Sequence, residues 1–196
     1  MDLTQGTQQE KEARSKKMML WFGIGSLIMT FAGLTSAFIV SRKREDWLVD
    51  FELPQAFLIS VFVIVASSIT MILAKRAMKQ NNISQTSIWL LVTFALGVFF
   101  VYNQFQGFSE FVADGYYFTG ATSNVTISFI YVIAVVHIAH VIAGLISLVI
   151  VIINNLNKKY SSKQMLGLEL VAHFWHFIDI LWVALFLFLY FFRYII

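Results

Sequence analysis

Residues 166–192 read LGLELVAHFWHFIDILWVALFLFLYFF, a stretch with two carboxylates, Glu169 and Asp179, and no lysine or arginine. At ~1.5 Å per residue it would form a helix about 40 Å long, more than enough to cross a hydrocarbon core of ~30 Å. Lipid offers no water to satisfy exposed backbone groups, so such a segment spans as a helix; barrel strands would be ~10-residue segments of alternating polarity. Four further stretches read the same way, about Met18–Val40, Leu53–Ala74, Thr86–Gly107 and Thr126–Ile153. Composition agrees, because 59% apolar, 16% aromatic and 13% charged residues leave more apolar surface than a water-soluble chain of 196 residues hides in one core. The expected fold is all-α: a polytopic membrane bundle of five helices over residues 18–194, after a polar tail at 1–17.

Charge sets the expected orientation. With the N-terminus inside, the cytoplasmic segments hold Lys11, Arg14, Lys16, Lys17, Lys75, Arg76, Lys79, Lys158, Lys159 and Lys163, while the outer side holds only Arg42, Lys43, Arg44 and Arg193. The N-terminus is therefore expected in the cytoplasm and the C-terminus on the periplasmic side. The net charge of +3 follows from that bias and gives no reason to expect nucleic acid as a partner. Pro54, the sole proline, stands where the second span begins, a position that loses no helical hydrogen bond. No small-residue cleavage pattern follows the first apolar run, so that helix is expected to be retained. The absence of cysteine excludes disulfides, thiolate metal sites and covalent haem attachment. Trp21, Trp47, Trp89, Tyr116, Tyr117 and Tyr194 fall near span ends, where aromatic side chains anchor helices at the interface.

Two polar or small-residue patterns stand out within the spans. Gly23, Ser26, Thr30, Gly33 and Ala37 recur at steps of three and four in the first span and form one face suited to close helix packing, within the bundle or against another chain. All four histidines lie in the last two spans: His137 and His140 in the fourth, His173 and His176 in the fifth. Glu169, His173, His176 and Asp179 continue one face of the fifth helix at spacings of four, three and three. Asp179 is near the middle of its span, where an ionised aspartate costs ~2.5–3.5 kcal/mol on insertion scales, so it should point into protein and find a hydrogen bond. His140 on the facing helix, or His176 one turn away, is the expected partner. Three readings of the histidines stand side by side. They hold a b-type haem, as in a stand-alone membrane anchor or electron carrier; they bind a metal for an intramembrane hydrolase or desaturase; or they form a buried hydrogen-bond network joining helices four and five. Bulky Phe174, Trp175 and Phe177 beside the histidines disfavour a porphyrin, and the loose H-x-x-H spacing disfavours a metal centre.

At these residues a family resemblance appears. Phe174–Trp182, FWHFIDILW, resembles the YWHFVDVVW signature in the last helix of subunit III of haem-copper terminal oxidases, the cytochrome c oxidase family. HIAHVIAG at His137–Gly144 is similar to that family's HGLHVIIG, SSIT at Ser67–Thr70 after Leu53 and Pro54 to its LP…SSVT helix, and LGVFFVYNQ at Leu96–Gln104 to its helix ending LG…F…Q. SLIMTFAGL at Ser26–Leu34 is similar to SEAMFFAGL, with Leu27 where the family has a glutamate, so no role of that carboxylate carries over. The resemblance covers all five spans in the family's order, and the chain corresponds to the last five of the seven helices many members have.

The resemblance implies a non-catalytic subunit of a respiratory oxygen reductase coupled to proton pumping. Such a subunit has no active site, cofactor or metal of its own. Haem and copper lie in subunits I and II, and subunit III packs on subunit I and sustains turnover. The implied setting is a bacterial inner membrane, with membrane lipids and, in some assemblies, a respiratory supercomplex as further partners. A bound phospholipid would sit in the family's cleft, to which the two helices without a counterpart here contribute. On this implication His137, His140, Glu169, His173, His176 and Asp179 are structural, and the small-residue face of the first helix meets subunit I.

Overall fold

The computed structural model describes residues 7–48, 51–120, 123–162 and 164–192, so Lys163, Arg193, Tyr194 and the first six residues of the tail lie outside the described residues. Five helices account for most of what is described: α1 (Gln8–Val40), α2 (Gln55–Lys79), α3 (Ile83–Ala113), α4 (Val125–Leu156) and α5 (Leu166–Phe192), with a single 3-10 turn at Ser41–Lys43. All five are long and apolar enough to cross a membrane.

The helix carrying the first span starts at Gln8, well ahead of Met18, and local chemistry accounts for the extension. In the sequence TQQE the Thr7 hydroxyl accepts from the Glu10 backbone N–H at 3.4 Å, and the Thr7 N–H donates to the Glu10 carboxylate at 2.9 Å, which closes a capping box. Pro54 is the cap of α2 and offers no side-chain acceptor. Glu110, near the end of α3, supplies a carboxylate instead, accepting from the Ala56 N–H at 3.5 Å. Asn81 and Asn82 make the tight α2–α3 turn between them. Asn81 takes a left-handed conformation (φ 57°) and ends α2 in a Schellman motif, with the Asn82 N–H donating to Ala77 O at 3.0 Å; the Asn82 side chain then caps α3. After α1, Arg44 donates to Asp46 at 2.8 Å, and that hydrogen bond holds the Asp46 carboxyl below its usual range.

Helices α2, α3, α4 and α5 pack as a closed ring in that order, with α2 on α3 the most extensive contact. Helix α1 stands outside the ring, over the seam between α4 and α5, and touches neither α2 nor α3 among the described residues. Its packing face is a heptad seam. Ile24, Phe31 and Phe38 are buried seven residues apart, and Leu20, Leu27 and Leu34, each four residues before one of them, are half-buried. Gly23, Ser26, Thr30, Gly33 and Ala37 all face away from the bundle, and nothing lies within 4 Å of where a Cβ on Gly23 or Gly33 would stand. The small-residue face therefore serves no packing within this chain. Close approach uses other glycines: a Cβ on Gly97 of α3 would stand 2.7 Å from the Trp175 ring, and one on Gly144 of α4 3.2 Å from it, so this indole occupies the room both glycines leave.

Trp47 also departs from the belt expectation. Its ring packs edge-on against Phe38 at 4.9 Å, inside an aromatic cluster at the end where α1 finishes. A second cluster, built from Met71, Met78, Leu90, Leu148, Leu168 and Trp175, fills the opposite end.

Candidate functional site

The polar side chains of α5 meet α2. On α2 the buried positions Ser60, Ile64, Ser67, Met71 and Ala74 follow steps of four and three, so two serines share the face that packs into the ring. On α5, Trp175 and Trp182 are buried seven residues apart, as Ser60 and Ser67 are on α2. Because the helices run antiparallel, the pairs register. Trp182 Nε1 donates to Ser60 Oγ at 2.9 Å and Trp175 Nε1 donates to Ser67 Oγ at 3.1 Å. Both serine hydroxyls also donate to their own helix, Ser60 to Phe57 O at 2.7 Å and Ser67 to Ile64 O at 2.8 Å.

Asp179 lies between these two rungs and is 3% exposed. Its Oδ2 accepts a short hydrogen bond from Ser68 Oγ and a longer one, 3.3 Å, from Ser67 Oγ. Ser68 Oγ also lies 3.0 Å from His176 Nδ1, giving a chain His176–Ser68–Asp179 that links α5 to α2 and back. This overturns both expected partners of Asp179. His140 is tied to its own helix, with Nδ1 at 2.7 Å from Val136 O, and His176 reaches the carboxylate only through Ser68. The reason is azimuth: Asp179 projects toward α2, which closes the ring against α5, whereas the sequential neighbour α4 meets a different side of α5.

The other histidines separate as well. His137 is fully buried, stacked on Trp182 at a centroid distance of 4.9 Å, with Phe100 at 5.7 Å and Phe31 at 6.2 Å edge-on. Three aromatic rings from α1, α3 and α5 thus occupy the space a macrocycle would need. His173 is exposed with Nδ1 at 2.6 Å from Glu169 O, and the Glu169 carboxylate pairs with Lys17 of α1 at 3.4 Å. The histidines of α4 and α5 do not face each other, so the haem-anchor reading loses its geometry. The network that joins two helices is between α2 and α5, in place of the expected α4–α5 seam. No group of three His, Asp or Glu side chains among the described residues is placed to hold a metal ion.

Sequence reasoning passed over several buried polar groups. Asn103 and Gln104 of α3 are buried, as is Thr93, whose hydroxyl meets that of half-buried Thr70 at 2.7 Å across α2 and α3. Asn155 of α4 donates to Ser87 of α3 at 2.8 Å. The seven-residue repeat of Trp on α5 matching that of Ser on α2 was the available signal for the rungs.

Comparison with known proteins bears on what such a bundle does. A family model described as Cytochrome c oxidase subunit III matches residues 47–194. "Probable cytochrome c oxidase subunit 3" of Nocardia farcinica is 31% identical over 180 residues, covering 89% of this chain and 86% of the relative. The protein of the same name in Mycobacterium tuberculosis is 30% identical over 175 residues, covering 87% and 84%. "Cytochrome c oxidase subunit 3" of Alkalihalophilus pseudofirmus is 29% identical over 178 residues, covering 89% and 85%.

Proposed function

Since this chain belongs to the cytochrome c oxidase subunit III family, a non-catalytic part of a haem-copper oxidase, we propose that it works without an active site of its own, packed against the subunits that carry haem and copper, subunits I and II. The observation that carries this reading is the family match over residues 47–194, which takes in the whole α2–α5 ring. The geometry supports it. The ionisable groups of α5 nearest mid-membrane are engaged in helix–helix hydrogen bonds, and those of α4 are packed among rings or bonded to their own helix, which is what a structural bundle needs.

On this proposal the subunit sits in a bacterial inner membrane with its N-terminus inside, as the distribution of lysine and arginine favours. The outward small-residue face of α1, with Gly23, Ser26, Thr30, Gly33 and Ala37, is the surface offered to subunit I. The test is purification from native membranes in mild detergent. Subunits I and II should accompany the chain and bring their haem absorption, and the chain freed from them should show no Soret band. A Soret band that stays with the isolated chain, or purification without the other subunits, would overturn the proposal.

A further inference from the structure

One face of α5 looks out of the bundle between α1 and α2, which flank it without touching each other among the described residues. His173, Ile180, Ala184 and Leu187 are exposed along this face and His176 is half-buried. From Ile180 onward the face becomes the wall of a cleft of about 390 Å³, completed by Val65 and Ser68 of α2, with Asp179 at its floor. The opposite end of the face is closed by the ion pair between Lys17 and Glu169, which ties α1 to α5.

Depth makes this face unusual. At ~1.5 Å per residue, His173 lies about 10 Å and His176 about 15 Å along α5 from Leu166, and the helix midpoint falls near Asp179. Both imidazoles are therefore within a hydrocarbon slab of ~30 Å centred on that point. Each ring is held through Nδ1, His173 by Glu169 O and His176 by Ser68 Oγ, and no hydrogen bond among the described residues reaches Nε2 of either. Ionisable side chains at such depth turn to protein or to a watery cavity, because acyl chains offer them no hydrogen-bond partner. An acyl chain would match the aliphatic cleft and leave Nε2 of both rings bare.

The geometry points to one occupant for the whole face: a transmembrane helix of a partner subunit. It lies in the cleft with small or aliphatic side chains against Ile180, Ala184 and Leu187, and presents a hydroxyl, amide or carboxyl group to Nε2 of His173 or His176. This surface is distinct from the small-residue face of α1, and it rests on the reading that the chain works inside an oxidase assembly.

This chain has no cysteine, so each variant carries one thiol on this subunit, and the bimane signal is read as the difference from the identically treated complex without the added cysteine. Ile180→Cys and Ala184→Cys, with Ile146→Cys on the outward face of α4 as control, are labelled with a bimane fluorophore in the assembled complex and placed in vesicles of brominated phosphatidylcholine. The expected result is loss of bromine quenching at 180 and 184 with strong quenching at 146. Quenching at 180 and 184 equal to that at 146 means lipid fills the cleft and overturns the inference. A photo-crosslinker attached to the thiol of the Ala184→Cys variant should capture a different membrane subunit; capture of a second copy of this chain overturns it equally. Because a label can itself displace the helix, unlabelled His173→Leu is the second arm. It should lower partner retention while leaving the thermal midpoint of the chain unchanged, and His173→Gln should restore retention in part; unchanged retention in His173→Leu counts against the inference. If haem-bearing subunits accompany the native chain and positions 180 and 184 are still quenched, this inference alone fails. If they do not accompany it, the assembly reading fails first.

Discussion

Replacing Asp179 by leucine removes the acceptor shared by two α2 hydroxyls. The two bonds are unequal. Ser67 is 3.3 Å away and also donates to Ile64 O at 2.8 Å, so it has an alternative; Ser68 makes the short bond and, through it, connects His176. The loss is thus one full interhelical hydrogen bond and a fraction of a second. Double-mutant cycles in membrane bundles give ~0.6 kcal/mol for an average bond of this kind and ~1.7 kcal/mol for the strongest, and stranding a buried donor adds to it, so Asp179→Leu should cost about 1–2 kcal/mol. Asp179→Asn keeps a carbonyl acceptor and should cost less than about 1 kcal/mol. Insertion should run the other way, since leucine relieves a carboxyl penalty of ~2.5–3.5 kcal/mol, so the leucine variant should reach the membrane in undiminished amount yet unfold more easily. Equilibrium unfolding in mixed micelles, followed by tryptophan fluorescence, reads the cost. The decisive quantity is the coupling energy: about 1 kcal/mol between Asp179→Leu and Ser68→Ala, and additivity within ~0.5 kcal/mol between Asp179→Leu and His140→Leu. A larger coupling to His140 than to Ser68 would refute the assignment of the seam to α2. Equal loss from asparagine and leucine would mean that charge matters, which the hydrogen bonds do not explain.

Gly107→Ala drives a methyl into the Phe57 ring, which is fully buried against Phe108, Phe111 and Trp182, so the thermal midpoint should fall by the equivalent of ~1–3 kcal/mol. Gly23→Ala, with open space around it, should leave the isolated chain as stable or up to ~1 kcal/mol more so, while weakening retention of the partner subunits in the native complex. Glu110→Ala removes the carboxylate at the start of α2 and should cost ~0.3–1 kcal/mol in the same unfolding assay, with the loss reduced in high salt. The Arg44–Asp46 pair is exposed, and the Asp46 carboxyl is held below its usual range by the hydrogen bond from Arg44. Its contribution is present above the ordinary carboxylate range and lost as pH falls through the lowered folded value; Asp46→Asn should therefore flatten a small acid-side slope in the thermal midpoint, its small loss showing near neutrality and vanishing at low pH.

His173, His176 and Asp179 were visible in the sequence as polar residues on one face of the fifth span, and burial of Asp179 followed from its depth. Its partner was not legible. Ser67 and Ser68 look like ordinary small residues of a membrane helix, able to satisfy their hydroxyls on their own backbone, and Ser67 does donate to Ile64 O. The expectation of an α4–α5 bond came from sequential, antiparallel neighbours, a rule that says which helices are near and nothing about the azimuth at which a side chain leaves its helix. The direction of the small-residue stripe of α1 was open in the sequence, because a heptad of Ile24, Phe31 and Phe38 on another side of the same helix competed for the bundle and won. Bulky residues pack over the α4–α5 seam, leaving the glycines outside.

What the sequence by itself determined is the set of five spanning helices. That decision is local: a run of ~20 apolar residues in a medium without water has one way to satisfy its backbone, and no distant contact alters it. Closure of α2 onto α5, the Trp–Ser rungs, the seating of Asp179 on Ser68 and the outward face of α1 were decided only in three dimensions. Each depends on the rotation of one helix relative to another, and lipid, being as apolar as leucine, imposes no preference on that rotation. Shape and a few hydrogen bonds across helix pairs make the choice instead.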